Sequence, residues 1–444
     1  MPTYYVSTTG NDSTGDGSID HPWATPVFGA SRLTQSGDAL MIRGGTYNIP
    51  TTNSNKTAAI HPVADNTTIQ AYIGEAVALV GGTGGTNYGV APTNGVIGNA
   101  SHSNVTISGF TVQGVVVMES GDNVLVENCD ISAGGDSWSG IAQGEVIWLE
   151  NCTNSRIYNN KLHDNSVQSN VTNNSLIMAY TNYGITVENN EIYNSVGAGV
   201  NFKDTIVNSV IRNNFIHDNA YSGIWGPNQA NTFMGYTHPQ DISIYQNIII
   251  NNNTANHDEH GGVTFLGRTT NLKTYNNTFC NNYKTDFNGW TGSTGDASFF
   301  NNISYAPRTY HLSWPYSGST FLLNYLDFND YYRTSSPSWR YKGTNYTSFS
   351  AWQTEAQVLL AGAESSSITS NPLFINASGN LNTPADFKRS SYTANGRGGS
   401  YPSVIGAYAT GSENIGVISS SPTVYYSPNF LLQSGGTYYT IQGG

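Results

Sequence analysis

The chain has 444 residues and a net charge of -12, from 17 Lys and Arg against 29 Asp and Glu. Only 10% of residues are charged, so there is no basic stripe of the kind that binds nucleic acid. No window of about 18 apolar residues exists that could span a membrane. The 48 glycines, and the dominance of Thr, Ser, Asn and Tyr over helix formers, suit many short strands joined by tight turns.

In chain order, residues 1–50 read as an N-terminal cap. A β-run in YYVS is followed by a Gly/Asp-rich turn, a short helix from about Thr25 to Leu33, and the strand ALMIRGGTY. The start MPTYYVSTTG is not a signal peptide, and is read as a mature secreted chain with an added Met. From about 51 to 380 the sequence reads as stacked coils, and from 381 to 444 as a C-terminal cap or extension, all within a single domain.

The coils are marked by a recurring amide pair. SRIYNNKLHDN, ITVENNEIYNS, VIRNNFIHDN, ISIYQNIIINN, LKTYNNTFCNN and ASFFNNISYAP place the second amide at Asn160, Asn190, Asn214, Asn247, Asn277 and Asn302. The steps are 30, 24, 33, 30 and 25 residues, so the unit is fixed while its loops vary. This predicts an all-β, right-handed parallel β-helix. Each strand would lie about 4.8 Å above its predecessor, and inward Asn side chains would stack into a ladder that satisfies their buried amides. Earlier coils keep the register with Phe110 and Cys129 in place of Asn. Cys129 and Cys280 read as small core residues, and the three cysteines, with Cys152, lack the CxxC spacing of a zinc site.

The strand after each Asn coil aligns by its apolar positions. Ile147, Ile177, Val200, Ile224 and Val263 form one inward column; Leu149, Ala179, Phe202, Gly226 and Phe265 form another. Between them an outward column reads Trp148, Met178, Asn201, Trp225 and Thr264, and the next reads Glu150, Tyr180, Lys203, Pro227 and Leu266. Glu150, Tyr180 and Lys203 are thus expected on consecutive coils of one outer face. The same three residues also suit an ordinary cross-strand ladder on the surface.

The stretches 132–143, 225–240, 252–262 and 284–295 read as loops rising around that face. They bring Trp138, Trp225, Phe233, Tyr236 and Trp290, flat rings for the apolar faces of sugars. The cluster His257 to His260 sits beside the strand leading to Arg268. His260 is a candidate base or carboxylate neutraliser; Asp258 and Glu259 are oxygen donors that calcium accepts. The HDN repeats at His163 and His217 are assigned to turn structure, with Asp and Asn closing the turn.

The entry segment, with its YYVS strand, short helix and GGTY strand, resembles that of secreted β-helix polysaccharide lyases, the group that includes alginate, pectate and dermatan lyases. The exit segment SNPLFINASGNLN followed by VIGAYA resembles theirs as well. The resemblance marks architecture more than substrate, and implies a cationic base in the groove, which supports Lys203. The multiple-Asp calcium cluster of the pectate lyases is not evident at the aligned positions. Calcium is therefore permitted and not required, and no metal ligands are assigned.

These readings give a working expectation of β-elimination on an acidic polysaccharide, with alginate as the first substrate. Lys203 and Tyr180 are the base and acid pair. Asn201, Glu150, Arg268, His260, Trp148, Trp225, Tyr236 and Trp290 are the substrate-binding residues. A monomer without nucleic-acid or membrane partners is expected. The alternatives are a glycoside hydrolase using a carboxylate pair among Glu145, Glu150, Asp204, Asp258 and Glu259, and a non-catalytic glycan-binding β-helix.

Overall fold

The two residues of each amide pair do different work. The first lies in the left-handed region, with φ of 54° at Asn159, 56° at Asn189, 55° at Asn213, 55° at Gln246, 52° at Asn276 and 57° at Asn301. A short amide tolerates this conformation better than most side chains, and it turns the chain sharply from one strand, such as Arg156–Tyr158, into the next, Lys161–His163. The second residue then faces inward. Its Oδ1 accepts the backbone N–H of the preceding coil, at 2.9 Å for Asn160 on Cys129 and 3.0 Å for Asn247 on Asn214. Its Nδ2 donates to carbonyls, as Asn247 does to Ile211 at 2.9 Å and Tyr245 at 3.1 Å. The ladder runs from Cys129 to Asn329, and every amide from Asn160 onward has no solvent exposure.

The computed structural model describes residues 2–50, 58–81, 95–133, 136–138, 141–165, 174–226, 231–258, 260–265, 269–289, 295–314, 322–335, 338–376, 381–390, 395–408, 413–417, 432–434 and 437–439. Among them the strands form three long sheets of 13, 12 and 11 strands, each joining one strand per coil. Within these three sheets pairing is parallel, apart from the closing hairpin of Trp339–Tyr341 with Thr344–Tyr346. The chain folds as a right-handed parallel β-helix, as its repeat predicts. The core inside the coils is stacked aliphatic and aromatic, with Ile147, Ile177, Val200, Ile224 and Val263 all at zero exposure.

A second ladder, missed in the sequence reading, lies five residues further on. Asn219 Nδ2 donates to Asn252 Oδ1 at 2.8 Å, and Asn252 Nδ2 to Asn282 Oδ1 at 3.1 Å. Asn282 Nδ2 then donates to Asp286 Oδ1 at 2.8 Å, and Asp286 continues to Ser304 at 2.5 Å and Ser304 to His311 at 2.6 Å. All three are fully buried inside the coils, so this Asp, Ser and His group ends a ladder and does not face substrate. Burial pushes the Asp286 carboxyl up to about 7 and His311 down to about 3. The amide five residues after Asn214, Asn247 and Asn277 was the readable signal.

At the entry end, helix Pro26–Ala30 is shorter than the stretch expected, with Thr25 Oγ1 accepting the Phe28 N–H as its N-cap. Strand Thr3–Val6 pairs in register with Ala39–Ile42 and so belongs to the first sheet. One departure falls within the stretch read as coils: Phe349–Leu359 is an 11-residue helix. Ser348 caps it, its interior is rich in helix formers, and it buries Trp352 against the last coils, with ring centroids 6.3 Å from Trp314 and 6.4 Å from Trp339. Residues 395–408 and 413–417 lie back along the left-handed corner, where Asn276 donates to the Val404 carbonyl and Asn189 to the Asn414 carbonyl, each at 2.6 Å. Among the described residues no helix is long and apolar enough to cross a membrane.

Candidate functional site

The 12-stranded sheet, here called the groove sheet after the groove expected along it, has the register expected from the aligned apolar positions. Trp148 pairs with Met178, Met178 with Asn201, Asn201 with Trp225, and Trp225 with Thr264. Glu150 pairs with Tyr180. Lys203 lies one residue past strand Ala198–Phe202, and its N–H still reaches the Ala179 carbonyl at 2.9 Å, so it stands beside Tyr180. Its amine is 5.5 Å from the centre of the Tyr180 ring, and that ring lies 4.8 Å from the ring of Trp148. Glu119, absent from the sequence reading, precedes Glu150 in the same column and completes the series Glu119, Glu150, Tyr180, Lys203.

The outward column is itself covered. Trp148 is 3% exposed, Met178 0%, Asn201 3%, Trp225 8% and Thr264 0%. Flanking side chains close over it: Tyr180 over Trp148 and His260 over Trp225. Trp148 packs with Val115, Val117 and Met178 in a small apolar cluster, so its ring is a wall of the groove and not an open sugar platform. Burial lowers the Lys203 pKa, while the carboxylates of Glu145 and Asp204 pull it back up. A larger share of neutral amine is thus available than on a solvated lysine.

His260 is buried. Its Nδ1 lies 2.9 Å from Ser222 Oγ, which donates to Thr264 Oγ1 at 2.9 Å, and its ring stacks on Tyr221 at 4.7 Å and meets Trp225 edge-on at 4.8 Å. Burial, reinforced by His257, pushes its pKa down to about 3, so it is a neutral imidazole. Asp258 is exposed and paired with Lys284 at 2.7 Å. Among the described residues no group of three His, Cys, Asp or Glu converges to hold a metal ion.

Other expected residues are spread more widely. Tyr236 stacks on Tyr183 at 6.0 Å, in a turn where Phe233 and Tyr236 bridge, and does not join the Trp148 to Trp225 column. Asp204 accepts from the Asn231 backbone at 2.7 Å and from its side chain, and it anchors that loop. The stretch 284–295 is not wholly a loop: Thr285–Gly289 is a strand of the groove sheet, because Phe287 continues the inward column opposite Val263. Within 132–143, Asp136–Trp138 and Ile141–Gln143 form an antiparallel hairpin. Arg268, Trp290 and Glu259 lie outside the described residues.

The molecule is thus a parallel β-helix protein that carries a covered column of aromatic and polar side chains on the outer face of one sheet. No family model matches the chain, and no curated protein matches its sequence. It is similar to several solved structures. Against pectate lyase Pel9A the identity is 13%, with 91% of this chain and 95% of that one covered and a TM-score of 0.46. Against the GH136 lacto-N-biosidase of Eubacterium ramulus the values are 13%, 76%, 65% and 0.47. Against the A-module of the Azotobacter vinelandii mannuronan C-5 epimerase AlgE4 they are 10%, 68%, 87% and 0.44.

Proposed function

We propose that the protein is an extracellular polysaccharide lyase that cleaves a uronate-containing polymer by β-elimination, with alginate the first substrate to test. The observation that carries this reading is the lysine of lowered pKa standing 5.5 Å from the Tyr180 ring on the outward face of the groove sheet. Neutral Lys203 takes the proton at C5 of the uronate. The C5 electron pair passes into the carboxylate-linked enolate, and the Asn201 amide on the same face donates to the negative oxygen. The C4–O4 bond then breaks as the enolate collapses, and the Tyr180 phenol protonates the departing O4. No water is consumed, and the new chain end carries a C4=C5 double bond.

A second reading follows from Glu119 and Glu150, which stand in register on neighbouring coils and supply two carboxylates for a hydrolase acting on a sugar polymer. One experiment separates the two. Purified protein is mixed with alginate, polygalacturonate and glucuronan, and both unsaturated-uronide absorbance and reducing ends are followed. New reducing ends without absorbance would refute the lyase. Lys203→Ala and Tyr180→Phe are each expected to abolish the absorbance signal, by about a thousandfold in rate for loss of an acid or base, while the melting curve persists. Near-normal turnover by Lys203→Ala would overturn the mechanism.

A further inference from the structure

Beyond Thr264 the outward column continues through Asn288 and Ser313 to Arg340. The neighbours of Arg340 on its strand face the other way: Trp339 is wholly buried in the core and Tyr341 packs against it. Arg340 therefore leaves the sheet on the groove side, near its C-terminal end.

Its surroundings differ from those of Arg43, Arg156, Arg212 and Arg333. Arg43 holds Glu75 at 2.7 Å, Arg156 and Arg212 share Glu188, and Arg333 donates to the carbonyls of Arg308 and Thr309. Arg340 lies 5.9 Å from the centre of the Tyr310 ring, and its Nε is buried with no hydrogen-bond partner among the described residues. The carboxylate that feels its charge, Asp258, is already held by Lys284 at 2.7 Å and is 81% exposed. A buried, unsatisfied N–H on a charged group is costly, and such groups call for an explanation. The acceptor that matches a planar guanidinium is a carboxylate, bound through two parallel hydrogen bonds.

We propose that Arg340 is a distal carboxylate-binding subsite of the groove, holding one uronate unit of a polymer that is cleaved beside Lys203. The inference rests on the uronate reading above. From Asn201 to Arg340 the column advances five coils, about 24 Å at the spacing of parallel strands, a span of several sugar units. The floor between them is Trp225, Thr264, Asn288 and Ser313, uncharged throughout. These four side chains are nearly buried, so intervening units pass over the residues that cover them, and a carboxylate is read at Arg340. The polymer runs along the helix axis, and chains long enough to reach both ends bind best.

The test measures binding by calorimetry in a Lys203→Ala background, with alginate and polygalacturonate oligomers from trimer to decamer and with a neutral xylan oligomer. Arg340→Gln is expected to weaken binding of long uronate oligomers about tenfold, the cost of losing a charge-assisted bond. The advantage of long over short oligomers should vanish with it, and Arg340→Lys should restore part of it. Near-UV circular dichroism checks that each variant folds. The proposal is overturned if Arg340→Gln binds long uronates as well as its parent, if the loss is the same for trimers and xylan, or if the parent binds no uronate. Uronate binding that depends on Arg340, together with no unsaturated product from the unsubstituted chain, would sink the lyase and leave the subsite standing.

Discussion

Replacing Asn247 by Ala removes a rung from the middle of the buried ladder, and the structure sets the size of the effect. The Asn214 backbone N–H loses its acceptor at 3.0 Å, and the carbonyls of Ile211 and Tyr245 lose donors at 2.9 and 3.1 Å. The Asn214 side-chain amide loses one acceptor but keeps the carbonyls of Val187 and Arg212 at 2.9 Å. The backbone N–H of Asn247 keeps Asn277 Oδ1, which loses only its second donor, Asn247 Nδ2, at 2.9 Å. Each buried group left unsatisfied costs about 1–3 kcal/mol, and because carbonyls tolerate under-satisfaction better than N–H groups, the sum is about 3–5 kcal/mol. Thermal and guanidinium unfolding against the parent measures it. The control is Asn324→Ala, an exposed amide that donates to Asp296 at 2.6 Å, expected to cost less than about 1 kcal/mol. If Asn247→Ala cost no more than this control, the ladder would be a consequence of the fold and not a source of its stability.

Other outcomes follow from the same geometry. Phe328 occupies the left-handed corner at φ 57°, where other coils use Asn or Gln, so Phe328→Asn should raise the melting temperature, by roughly 1 kcal/mol of stability; a fall would show that the ring's packing outweighs its backbone strain. Rate against pH for the lyase should rise along a limb that lies below the ordinary lysine value, since burial lowers Lys203 and only its neutral form accepts a proton; a rate that falls over that range would exclude it as the base. His163 is held by Asp130 and Asp164, both at 2.7 Å, and its pKa is raised. Its contribution, about 1 kcal/mol for such a surface pair, is fully present below the unfolded His value near pH 6.5 and lost as pH rises through the higher folded value. His163→Gln should therefore melt below the parent in mild acid, with the gap closing above neutrality; a gap that widens with pH would contradict the assignment.

Much of this molecule is legible in one sequence because a solenoid repeats its own solution. The amide pairs fix where each coil turns, and once the turn is fixed the period-two alternation of the next strand decides which residues face out. That is why the columns of Trp148, Asn201 and Trp225, and of Glu150 and Tyr180, could be aligned before any coordinates. Glu119 and Arg340 lie in the same columns beyond the coils that were aligned, and were missed for that reason alone.

What the sequence could not decide is depth and company. Alternation says that Trp148 and Asn201 point away from the core, but it does not say that the Tyr180 ring, one coil on, leans back over Trp148, or that both residues are almost wholly buried. The same holds for His260, which Tyr221, Ser222 and Trp225 enclose. It holds for Asp286, whose burial beside Ser304 and His311 depends on three separate segments. Local pattern sets orientation through backbone geometry, whereas desolvation and pairing depend on contacts across coils, and those determine which of the outward residues can do chemistry.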